Sequence, residues 1–161
     1  SLYMENQFPQ EWHNQTWENY TLLTEEFANG DAWDLSGTIR VQGGRLETYD
    51  SSETNNYATY NEEILGLNNL WPIADSVNIT FHSGGECEAL GWAEAWLQVY
   101  NDGTWITLWA HTGYEAGGWN GVYSVDAGEY INKDFNIRFR LKNDRYSVIL
   151  LSPMGDLAKI L

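Results

Sequence analysis

The stretch WAEAWLQVYNDGTWITLWAH, residues 92–111, reads as a β-hairpin with two chemically different faces. Successive side chains on a strand point to opposite sides. Ala93, Ala95, Leu97 and Val99 therefore share one face, and Trp92, Glu94, Trp96, Gln98 and Tyr100 the other. The turn Asn101-Asp102-Gly103-Thr104 contains the glycine that a tight hairpin needs for positive φ. Beyond it the alternation resumes, with Ile106, Leu108 and Ala110 on one side and Trp105, Thr107, Trp109 and His111 on the other. The aliphatic side is what an antiparallel sheet buries against a second sheet. The opposite side, four tryptophans and Tyr100 interleaved with Glu94, Gln98, Thr107 and His111, offers a stacking surface edged with hydrogen-bonding groups. Sugar recognition uses that chemistry, although rings this large are also commonly covered by the rest of their own fold or by a neighbouring subunit.

Outward from the hairpin, the same short alternations recur. Val77, Ile79 and Phe81 alternate with Asn78, Thr80 and His82, and the loop Ser83–Glu88 leads into the hairpin. Ile137, Phe139 and Leu141 point inward opposite Arg138, Arg140 and Lys142. Thr38–Val41 and Arg45–Tyr49 flank Gly43-Gly44. Further short strands are expected through Tyr57 and Tyr60, over Val122–Val125, Ser147–Leu151 and Asp156–Leu161, and one helical turn before Pro72. That makes ten or eleven strands with turn signals between them, the pattern of an all-β sandwich. At 161 residues the chain fits one domain, enough to bury roughly 70% of its unfolded surface. Residues 24–161 form that domain. Residues 1–23 form an extended segment in which only Thr16–Leu23 reads as a strand, and such a segment can pair with its own sheet or with a neighbour's open edge.

The formal charge of −15 is unevenly placed. No Lys or Arg occurs from Leu46 to Asn132, whereas six basic residues follow from Lys133 onward. An acidic body repels phosphate backbones, which argues against a nucleic-acid partner. No apolar run is long enough to span a membrane. The lone Cys87 excludes an internal disulfide, and no motif around it marks a nucleophile. Three sequons, at Asn14, Asn19 and Asn78, permit N-glycosylation, in a number close to what so Asn- and Thr-rich a chain gives by chance.

The segments TEEFANGDAWDLSGTIRVQGGRLET, SVNITFHS, AWLQVYNDGTWITLWAHTGY and GGWNGVYSVDAGEYINKDFNIRFRLKND, with a terminal GDLAKIL, together resemble the β-jelly-roll modules of the MAM and carbohydrate-binding-module type. The resemblance spans about residues 24–161 and consists of strand patterns rather than an invariant motif, so it speaks to fold more than to function. It implies a jelly-roll β-sandwich of two antiparallel sheets. It also implies a structural calcium where the first and last strands meet, held by Glu26, Asp31 and Asp156, hard oxygen donors of the kind calcium takes. The acidic pair expected in the closing strand is reduced here to Asp156 followed by Leu157. Such modules are mostly secreted, which together with a start lacking Met points to an extracellular or cell-surface location.

The leading expectation is a non-catalytic recognition or adhesion module that binds a glycan or cell-surface polysaccharide. Its ligand-binding residues would be Trp92, Glu94, Trp96, Gln98, Tyr100, Trp105, Trp109 and His111, with Tyr114, Trp119 and Asn120 from the Gly-rich loop that follows. The first alternative is an extracellular filament subunit whose partners are copies of itself, joined by exchange of the N-terminal strand. The second is a glycoside-active enzyme: Glu94 is a candidate carboxylate, but nothing selects its second member. His13, His82 and His111 show no metal-ligand spacing.

Overall fold

The structure is a computed structural model that describes residues 18–49, 55–61, 74–85, 93–112, 119–130, 135–143 and 149–160. Its strands are β1 (Glu18–Glu25), β2 (Trp33–Ser36), β3 (Ile39–Gln42), β4 (Arg45–Thr48), β5 (Asn56–Tyr60), β6 (Ala74–Gly85), β7 (Ala93–Asn101), β8 (Thr104–His111), β9 (Trp119–Asp126), β10 (Asn136–Asn143) and β11 (Ile149–Ile160). One sheet runs β3-β4-β11-β6-β9, with β1 also paired to β11, and the other runs β2-β5-β10-β7-β8. Every pairing is antiparallel, as expected for the jelly-roll sandwich.

The core lies between the sheets and follows from alternation. Across the second sheet Ala58, Phe139 and Leu97 stand side by side, and beside them Ile137 and Val99. All five are fully buried. From the first sheet Ile39, Leu46, Ile79 and Phe81 meet them. Phe81 packs edge-on against Phe139 at 5.3 Å between ring centroids. Phe27 and Trp33 close one end of this layer, their rings 5.7 Å apart.

The chain crosses from the second sheet to the first between β2 and β3, at Gly37 (φ +97°). Asn56, fully buried on β5, holds that crossing. Its Oδ1 accepts from the Thr38 amide at 2.7 Å, and its Nδ2 donates to the Leu141 carbonyl at 3.3 Å. A Cβ at position 37 would overlap the Asn56 amide, so glycine is required on both steric and φ grounds.

β11 is the spine of the first sheet. It pairs with β6 along one edge and with both β4 and β1 along the other. Pro153, which has no amide proton to donate, falls where β4 ends its pairing and β1 has not begun, and where the register with β6 slips. The expected strands at Ser147–Leu151 and Asp156–Leu161 are thus two halves of one strand, joined through this irregularity. Two other elements differ from the sequence reading. β6 continues through Ser83-Gly84-Gly85 instead of ending in a loop there, because Gly85 lies against the ring of Trp119, where any side chain would overlap it. β2 has weak alternation of its own and is held by pairing with β5. The expected strand before residue 24 is β1, which extends to Glu25 and pairs with β11 of its own chain. The rest of the N-terminal segment and the helical turn expected before Pro72 lie outside the described residues.

Candidate functional site

The geometry of the site turns on one extra residue in β8. β7 and β8 pair regularly from the turn, Tyr100 opposite Trp105, Val99 opposite Ile106 and Gln98 opposite Thr107. The next pair is Leu97 with Trp109, so Leu108 is a β-bulge. Because side chains alternate, one inserted residue sends everything beyond it to the opposite face. Trp105 and Thr107 therefore stay on the outer face beside Tyr100 and Gln98. Trp109 and His111 turn inward beside Leu97 and Ala95.

This corrects the single aromatic face expected from alternation. Trp109 packs edge-on against Phe81 at 4.9 Å and lies 4.9 Å from the ring of Tyr123. His111 stacks on Trp119 at 4.2 Å, with the two planes 10° apart. Trp119 is itself only 8% exposed and donates from its indole N–H to Ser83 Oγ. These three residues consolidate the space between the sheets near β8 and β9. Ala110, expected on the aliphatic side, is exposed and stands opposite Trp96.

What remains on the outer face of the second sheet is a compact aromatic and cationic surface. Two rows cross it. In the first, Ser36, Tyr57, Arg140, Trp96 and Ala110 lie side by side on β2, β5, β10, β7 and β8. In the second, Asp34, Thr59, Arg138, Gln98 and Thr107 do the same. The Arg140 guanidinium lies 4.1 Å from the centre of the Trp96 ring system. The Arg138 guanidinium lies 4.2 Å from that of Trp105 and 4.4 Å from Tyr57. These are cation–π distances, and Arg is the residue best suited to them. Tyr100, 41% exposed, extends the ring surface with its centroid 5.2 Å from Trp105.

Gln98 fixes the centre of this surface. Only 6% exposed, it donates through Nε2 to Thr107 Oγ1 at 3.1 Å and accepts from Arg138 Nε at 2.7 Å. Arg140 Nε donates to Asn55 Oδ1 at 2.8 Å. Burial holds the Arg138 guanidinium below its ordinary pKa; Tyr57 works against that lowering, and Arg140 adds to it.

Of the residues expected to bind, the structure gathers Glu94, Trp96, Gln98, Tyr100 and Trp105 on one face. It places Trp109, His111 and Trp119 elsewhere, and Asn120 outward on the first sheet, where its side chain bonds His82. Trp92 and Tyr114 lie outside the described residues. Sequence reasoning missed Tyr57, Arg138 and Arg140 as site residues. Their signal was there in part: the Arg-x-Arg-x-Lys alternation opposite Ile137, Phe139 and Leu141 marks one outward cationic line. Which rings that line meets depends on strand order.

The implied calcium ligands are Glu26, Asp31 and Asp156. Glu26 and Asp31 are exposed, and the side chain of Asp156 lies outside the described residues. Neighbouring Glu25 accepts from the Phe27 amide and from the Trp33 indole at 3.1 Å. Among the described residues no three metal-ligating side chains come together. For the sequons, Asn78 lies half-buried on β6, Asn19 lies on β1, and Asn14 is outside the described residues. No described helix is long and apolar enough to cross a membrane.

No protein-family model matches the chain, and no curated protein matches it in sequence. Solved structures do match in shape. The carbohydrate-binding module TmCBM61, determined in complex with β-1,4-galactotriose, superposes with a TM-score of 0.59 at 12% identity, covering 85% of this chain and 97% of that one. The K3 cleaved adhesin domain of Lys-gingipain from Porphyromonas gingivalis gives 0.60 at 13% identity, with 85% and 99% covered. The carbohydrate recognition domain of Emp46p gives 0.51 at 12% identity, with 88% and 98% covered. The chain therefore has the β-sandwich fold of carbohydrate-binding modules, as its strand pattern led one to expect.

Proposed function

We propose that this chain is a non-catalytic, extracellular glycan-binding module whose binding surface is the outer face of the second sheet. The observation that carries the reading is the clustering of Tyr57, Trp96, Tyr100 and Trp105 with Arg138, Arg140 and Gln98 on one partly exposed sheet face, away from the core. An outward sheet face has no need of such rings for folding, since the sandwich is already filled by the inner rows. Rings and planar guanidiniums give a sugar flat surfaces to lie along, and Gln98, Thr107 and Asn55 hold the polar groups in fixed orientation. That TmCBM61 was captured with a galactan oligosaccharide on a similar fold supports the glycan class.

Affinity electrophoresis through gels containing soluble plant, algal and bacterial polysaccharides tests this. Retardation is expected in at least one gel, and Trp105→Ala should weaken it about tenfold, equivalent to about 1.4 kcal/mol. Trp109→Ala, by contrast, should lower stability and leave retardation of the folded protein intact. Binding that survives in both Trp96→Ala and Trp105→Ala would place the site elsewhere.

A further inference from the structure

Resting on the glycan reading, we infer that the ligand is an acidic polysaccharide whose uronic-acid carboxylate docks on the paired guanidiniums of Arg138 and Arg140. Among the described residues each arginine is hydrogen-bonded only through Nε, Arg138 to Gln98 and Arg140 to Asn55. A guanidinium has five N–H donors. The four on the terminal nitrogens of each arginine have no hydrogen-bond partner among the described residues. Neither side chain has a carboxylate partner there either, since the ion pairs among the described residues are those of Glu47 with Arg40 and Arg45.

This is unusual for such a chain. It carries 23 acidic and only 8 basic residues, yet two of the eight are set side by side with no ion-paired acid among the described residues. They stand two residues apart on β10, about 6.6 Å along the strand, and Arg140 disfavours the charge of Arg138. Among the described residues the acids on the same face, Asp34 and Glu94, form no ion pair with either arginine. Asp34 lies on edge strand β2, two strands or about 10 Å from Arg138. Glu94 faces Lys142 at the next outward position of the pair β7–β10. The overall charge of −15 acts over distances screened beyond about 8 Å at physiological ionic strength, whereas a docked carboxylate sits inside that range.

The stacking argues in the same direction. With guanidiniums against Trp96, Trp105 and Tyr57, part of each ring surface is already covered, and the surface presents planar forks as much as bare rings. A planar fork of donors matches a carboxylate, which accepts two parallel hydrogen bonds and donates none. Gln98 is the positioning residue. By accepting from Nε and being held in turn by Thr107, it fixes the Arg138 guanidinium without using its terminal nitrogens.

The test is isothermal titration of the whole chain with oligogalacturonate and oligoalginate, each beside its methyl-esterified form, and with a neutral β-1,4-galactan oligomer and dextran sulfate. At least one free acid should bind ten times more tightly than its ester. Arg138→Gln and Arg140→Gln should each remove most of that difference without changing the melting temperature by more than a few degrees. Gln98→Leu should reduce the preference for the acid over its ester. Equal affinity for acid and ester, lost together in Trp105→Ala, would overturn the acidic ligand and leave the glycan reading standing. Tighter binding of dextran sulfate than of any uronate would overturn the carboxylate. No binding of any glycan would overturn both.

Discussion

Asn56 shows how one buried amide decides where the chain changes sheets. Its oxygen takes the Thr38 amide just after Gly37, and its nitrogen reaches the Leu141 carbonyl on β10, tying a crossing loop to a central strand. Removing it strips one buried and one partly buried backbone group of these bonds, each worth about 1–3 kcal/mol where nothing replaces them. Asn56→Ala should therefore lower unfolding stability by about 2–4 kcal/mol, read as a shift of the urea midpoint with an unchanged slope. Arg138 has the opposite character. Its burial disfavours its own charge, so the bare protein carries a cost wherever the guanidinium is protonated, which covers all ordinary pH. Under the proposed function a bound anion would offset that cost.

Among the elements, β8 separates what the sequence could tell from what it could not. The alternation of β7 and β10 is regular over every pair, and their inward residues were legible because each such strand needs only period two. β8 has the same period on paper. The bulge at Leu108 is set by the hydrogen-bond register with β7, which no local pattern of residues encodes, so plain alternation puts Trp109 and His111 on the wrong side. The arginine–ring contacts were illegible for a related reason: Arg138 meets Gln98 and Tyr57 across strand pairs whose order the sequence does not spell out. The bulge makes a specific prediction. Deleting Leu108 leaves Gln98–Thr107 and Leu97–Trp109 as consecutive pairs in a regular ladder, so the deletion should cost only the half-buried leucine, about 1–2 kcal/mol. Deleting Arg140 from bulge-free β10 must invert part of a core strand and should abolish cooperative unfolding. Comparable losses in the two thermal melts would mean that the register of β8 is not as described.

At the scale of the whole molecule, charge and connectivity dominate. With a net charge of −15, compaction works against self-repulsion that salt screens. The melting temperature should rise between 10 mM and 150 mM sodium chloride, as the Debye length falls from about 30 Å to about 8 Å. A flat response would mean that the acids are spread too widely to repel. Connectivity imposes a second condition. β11 holds β1, β4 and β6 together, and it follows all three in the chain. During synthesis β1 and the β3–β4 hairpin must wait, without their main partner, until residues 149–160 have left the ribosome. The first sheet therefore closes only once residues 149–160 are available, and a chain stopped before residue 149 would leave the β3–β4 hairpin and the β6–β9 pair as two pieces without the strand that joins them.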